Sequence, residues 1–127
     1  MWPKRRPADI GDNAEQAACR YLQKQRLNII TRNYRCRFGE IDIVARSADH
    51  LVFFEVRYRN NKRYGSGAET VTTAKQRRII LTARHYLSYE AGSHHCTELP
   101  CRFDVIEASP ADNGELLLNW LPNAFQE

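Results

Sequence analysis

Two alternating apolar segments, joined by a short loop at Ser47 to His50, constrain this chain more than any other feature. Glu40 to Arg46 sets Ile41, Ile43 and Ala45 against Glu40, Asp42 and Val44. His50 to Arg59 sets Val52, Phe54, Val56 and Tyr58 against Leu51, Phe53, Glu55, Arg57 and Arg59. Period-two alternation predicts strands, and the short spacer predicts an antiparallel hairpin. If Arg46 faces Leu51, then Asp42 falls opposite Glu55 and Glu40 opposite Arg57. Directly opposed carboxylates stand about 5 Å apart at Cβ and repel each other strongly near a protein surface. Either a divalent cation lies between them, a neighbouring arginine neutralises them, or one keeps its proton. The plainer alternative is a solvent-facing ladder of alternating charges, with Glu40 and Arg57 an ordinary cross-strand pair.

The rest of the chain supplies helices for such a hairpin to pack on. Asp9 to Arg26 carries Ile10, Ala14, Ala18, Tyr21 and Leu22 at helical spacing, which predicts a first helix. Leu27 to Thr31 reads as a short strand stopped by the turn-prone Arg32-Asn33, and Asn60 to Thr70, with Gly65 and Gly67, as a loop. A second helix opens near Thr73, whose spacing to Gln76 fits a capping box. It presents Ile79, Ile80, Ala83, Tyr86 and Leu87 on one face and stops by Gly92. Arg102 to Ala108 and Leu116 to Trp120 read as final strands around a turn containing Pro110 and Asn113-Gly114. The order α-β-β-β-α-β-β predicts an α/β fold, a mixed central sheet flanked by helices, with residues 1–127 forming a single domain.

Composition narrows the class of function. A hydrophobic fraction of 43% in 127 residues builds one core, and no stretch approaches the roughly 18 apolar residues of a membrane span. Lys4, Arg5 and Arg6 are followed by no apolar leader segment, so a cytoplasmic location without membrane association is expected. Cys19, Cys36, Cys96 and Cys101 follow no framework spacing and read as free thiols. Net charge is +4, but Arg32 to Arg84 holds twelve Lys/Arg against five Asp/Glu, and the remainder seven against ten. Positive charge gathered mid-chain suits a polyanion, although a merely solvated basic surface has the same composition.

Glu15 is a further candidate, because it borders the apolar stripe of the first helix three and seven residues before Ala18 and Leu22. A carboxylate there needs a metal, an arginine or a wet pocket. Gly39-Glu40-Ile41-Asp42, Phe53-Phe54-Glu55-Val56-Arg57-Tyr58-Arg59, Lys75-Gln76 and Arg102-Phe103-Asp104-Val105 together resemble the bacterial YraN-like proteins. These are similar to archaeal Holliday-junction resolvases within the restriction-endonuclease-like, PD-(D/E)xK, superfamily. The resemblance spans nearly the whole chain. It implies a restriction-endonuclease-like fold and a DNA endonuclease in which Glu15, Asp42 and Glu55, with the Val56 carbonyl, hold Mg²⁺ or Mn²⁺. Asp42, Glu55 and Arg57 are then the catalytic set. Arg57 departs from the pattern, for it replaces the superfamily's lysine and cannot release a proton.

Other segments are weaker signals. Arg59, Lys62, Arg63, Lys75, Gln76 and Arg78 are candidate nucleic-acid contacts, the helix residues aided by the helix dipole. Gly65-Ser66-Gly67 lacks a P-loop ending, and His94-His95-Cys96 with Cys101 fits no common zinc spacing. Three functions remain open: a metal-dependent endonuclease acting on branched or damaged DNA, a non-catalytic nucleic-acid-binding module, and an adaptor in repair or recombination. DNA is the expected partner, with RNA and a homodimer also compatible.

Overall fold

In a computed structural model, residues 7–59, 71–90, 92 and 98–127 are described, the first few without side-chain detail. Helix α1 (Pro7–Lys24) leads into β1 (Asn28–Cys36), β2 (Gly39–Arg46) and β3 (Leu51–Tyr58). Helix α2 (Thr73–Tyr89) then precedes β4 (Cys101–Pro110) and β5 (Leu116–Phe125). The strands form one five-stranded sheet in sequence order, antiparallel except for β3 and β4, which run parallel across the α2 crossover. The element order is the predicted one.

Each helix covers one face. Ala14, Ala18, Cys19 and Leu22 of α1 are buried, and the last three pack on Ile43, Ala45, Val52, Phe54 and Ile106. Ile79, Ala83 and Tyr86 of α2 pack on Val44, Leu51, Phe53, Phe103 and Val105. The small Ala14 and Ala18 bring the α1 axis close to the sheet, which carries Glu15 toward β1 and β2. Arg46 does pair with Leu51, and the register runs through Ile43 and Phe54 as the hairpin reading requires.

Several boundaries differ from the sequence reading. Asn33 does not end β1; it sits inside the strand in the left-handed region (φ 54), and β1 continues to Cys36. An asparagine tolerates that conformation, so a turn signal is spent on a kink instead. In β2 strict alternation does not hold, for Ile41 joins the α2-side core while Ile43 joins the α1-side core. Pro110 ends β4 rather than lying in the following turn, and β5 runs through Pro122 to Phe125. An edge strand accepts a proline because the missing N–H can face solvent. The N-cap of α2 is Thr72 rather than Thr73, and its hydroxyl accepts from the Lys75 N–H at 3.1 Å. The Gln76 side chain does not close a capping box but donates to the Val71 carbonyl at 2.9 Å.

Candidate acidic site between the helices

Asp42 and Glu55 meet where β2 and β3 part. Beyond Ile43 and Phe54 the hairpin ladder stops, and the Val56 N–H is taken by Asp42 Oδ2 at 2.8 Å. A side-chain carboxylate thus replaces a backbone carbonyl, which holds Asp42 against β3. Glu55 is only 6% exposed, and on the α2 side it receives Lys75 Nζ at 2.5 Å from Oε1. Asp42 retains some contact with solvent, yet its carboxyl is pushed up to about 8. Burial is the largest cause, the charge of Glu55 the next, and the Val56 N–H opposes both. Glu15 adds a further push, and Asp42 shares a hydrogen bond with Glu55. Of the three compensations open to opposed carboxylates, the pair as it stands keeps a proton and borrows a lysine.

Beside the pair, Asn33 links Glu15 to Glu40, and the charge of Glu15 is felt at Asp42. With its amide oriented to suit its neighbours, Asn33 donates to Glu15 Oε1 at 2.9 Å and to Glu40 Oε1 at 3.0 Å. Glu40 also pairs with Arg35 at 3.4 Å across β1, so the cross-strand pair expected with Arg57 gives way to one with Arg35. The hairpin ladder has ended before it reaches Glu40, which leaves that side chain to the other neighbouring strand. Asn33 carried no functional expectation in the sequence. The signal that could have found it is an asparagine embedded between arginines and a tyrosine in a strand-like run.

The remaining candidates lie around this centre. Arg57 follows Glu55 by two residues on β3 and stands level with Glu107 of β4. The Arg59 N–H donates to the Ala108 carbonyl at 2.7 Å, while its guanidinium buries Nε and Nη2 with no hydrogen-bond partner among the described residues. Arg78 is exposed on α2, and Lys75 and Gln76 are half-buried. Lys62, Arg63, Gly65-Ser66-Gly67 and the His94-His95-Cys96 run lie outside the described residues. Cys19, Cys36 and Cys101 are free. Among the described residues no three His, Cys, Asp or Glu side chains are spaced to hold one ion in this arrangement, and no helix is long and apolar enough to cross a membrane.

Asp104, in the fourth quoted motif, has a different place. It is fully buried on the α1 side and accepts from Arg102 Nε at 2.9 Å, Trp120 Nε1 at 2.8 Å and the Asn123 N–H at 2.9 Å. Asn123 takes a left-handed conformation (φ 52) to present that N–H. The carboxylate stitches β4 to β5 and is saturated within the protein.

Fold and site define an α/β protein whose mixed sheet opens, at the end of one hairpin, around an acidic pair, one member buried and one half-buried, bridged to a helix by lysine. The chain belongs to Uncharacterised protein family UPF0102, whose family model matches residues 14–108. A UPF0102 protein of Nitrosomonas europaea is 48% identical over 117 residues, covering 92% of this chain and 93% of the relative. Those of Nitrosococcus oceani (44% over 118 residues; 93% and 92%) and Hahella chejuensis (45% over 117 residues; 92% and 90%) are similar over the same extent.

Proposed function

We propose that this protein is a metal-dependent endonuclease of restriction-endonuclease-like fold that hydrolyses phosphodiester bonds in DNA, with branched or damaged DNA as the expected substrate. The observation that carries this reading is the Asp42–Glu55 pair, two carboxylates forced together at the end of a hairpin and relieved there by a retained proton and the Lys75 ammonium. Paired hard oxygens that repel one another suit Mg²⁺ or Mn²⁺, and the further ligands the resemblance implies are the Val56 carbonyl and Glu15, whose charge is felt at Asp42 but whose side chain must turn inward to share an ion with the pair. When bound, such an ion polarises the phosphate and makes a coordinated water more acidic. On this reading the chain's own residues do the rest: Asn33 orients Glu15, the Val56 N–H orients Asp42, and Arg57, Arg59, Lys75, Gln76 and Arg78 are the residues assigned to the phosphate backbone. In the reaction a water oxygen bonds to phosphorus and one ester bond breaks; the water gives up a proton and the leaving oxygen gains one.

The order α-β-β-β-α-β-β, with the single parallel pair at β3 and β4, supports the fold assignment. A second reading, a non-catalytic nucleic-acid-binding module, is favoured by Arg57, whose guanidinium grips phosphate but cannot lose a proton. Incubation with supercoiled, linear and four-way-junction DNA in Mg²⁺ or Mn²⁺ decides between them. Nicking that is lost in Asp42→Ala is the expected result; salt-sensitive binding without any cleavage would select the second reading.

A further inference from the structure

We propose that Lys75, reaching in from α2, supplies the positive charge that acts on the reacting phosphate, while Arg57 grips the strand. This rests on the nuclease reading above. The two cations come to the acidic pair from different elements. By alternation from Phe53, which packs under α2, Glu55 and Arg57 lie on the α2 side of β3, about 7 Å apart along the strand. Lys75 crosses from the helix and sets its ammonium 2.5 Å from Glu55 Oε1.

Three features fit Lys75 to that task. Its backbone is pinned by the Thr72 cap, so the side chain leaves a fixed point. Its side chain is 40% exposed where that of Glu55 is 7%, so the lysine links a buried carboxylate to the protein surface. Of the two partners, the lysine is the one more open to a phosphate arriving from solvent. Lysine also carries a compact charge with three donors, able to keep Glu55 while binding a water and a phosphate oxygen, whereas a planar guanidinium suits paired acceptors. A purely structural strut is the competing role. The pair with buried Glu55 does tie α2 to β3, but α2 is also held to the sheet by Ile79, Ala83 and Tyr86, so the fold does not rest on Lys75 alone.

The test combines single-turnover cleavage, DNA binding and Mn²⁺ titration on the full chain. Lys75→Met is expected to slow cleavage by about 100-fold or more, the loss typical of removing one charge-stabilising donor, while DNA affinity falls no more than about 3-fold, as for one lost phosphate contact. Lys75→Arg, which keeps the ion pair and the fold, is expected to slow it about 10-fold, since the guanidinium displaces the charge. Adding Arg57→Lys to Lys75→Met should restore most of the rate, because the strand then offers an ammonium on the same face. Without DNA, Lys75→Met should bind Mn²⁺ about 10-fold more tightly, for a cation competing for Glu55 has gone. Cleavage by the natural protein that survives Lys75→Met unchanged, or Mn²⁺ affinity that does not move, overturns the role of Lys75 and leaves the nuclease reading standing. A natural protein that cuts no DNA with either metal overturns both.

Discussion

Asp42 holds a proton that the unfolded chain would surrender, and this makes the stability of the protein depend on pH in a definite direction. Its carboxyl sits at about 8 in the fold against 3.8 for an ordinary aspartate, so between those values the folded state binds the extra proton. The contribution is therefore complete below about pH 4 and lost as pH rises through 8. Thermal unfolding of the metal-free protein should show Tm falling across that window, and Asp42→Asn should flatten the fall. If the pair binds the divalent ion proposed above, that ion competes with the proton, and Mg²⁺ or Mn²⁺ should raise Tm more at pH 8 than at pH 5. Asp104 differs because it is satisfied within the protein. Asp104→Ala strands the Arg102 guanidinium, the Trp120 ring N–H and the Asn123 N–H, and should cost about 3–5 kcal/mol in urea unfolding. An acidic residue in a motif can thus be a girder, and the two cases separate only when partners are seen.

Gly39 and Thr72 show how elements deliver those residues. Gly39 opens β2 at φ 153, in a region closed to other residues, and a Cβ there would stand 3.2 Å from Thr82 Oγ1. Thr82 cannot yield easily, since it is buried and its hydroxyl donates to the Arg78 carbonyl at 2.7 Å. Gly39→Ala should cost about 1–3 kcal/mol and loosen the contact of β2 with α2, which chemical denaturation can measure. Removing the cap by Thr72→Ala should cost about 1 kcal/mol and, by freeing the first turn of α2, lower cleavage; Thr72→Ser should preserve both. Element types were legible because hydrophobic period distinguishes 2 from 3.6 over whole segments. Their ends were less so: Asn33 and Pro110 carry turn chemistry, and the tertiary structure uses the first for a strand kink and the second for a strand terminus.

Across the whole molecule, if the proposed DNA binding holds, the excess of Lys/Arg between Arg32 and Arg84 predicts that it weakens steeply with salt. Reversing charge at the exposed Arg77 and Arg78 should lower affinity more than at Arg20 and Lys24, and should flatten the plot of affinity against salt in filter-binding or anisotropy measurements. By itself the sequence determined the element order, the hairpin register and hence the meeting of Asp42 with Glu55, because alternation and loop length fix which residues oppose each other. It also placed Glu15 on the helix beside the sheet. Only the tertiary structure decided what surrounds the pair: Asn33 turned to bridge Glu15 and Glu40, Arg35 taking Glu40 from Arg57, and Lys75 laid on Glu55. Those contacts join residues from β1, β2, β3, α1 and α2, whose distances depend on packing angles and on how far a helix is offset along a sheet. Local pattern carries no record of either quantity.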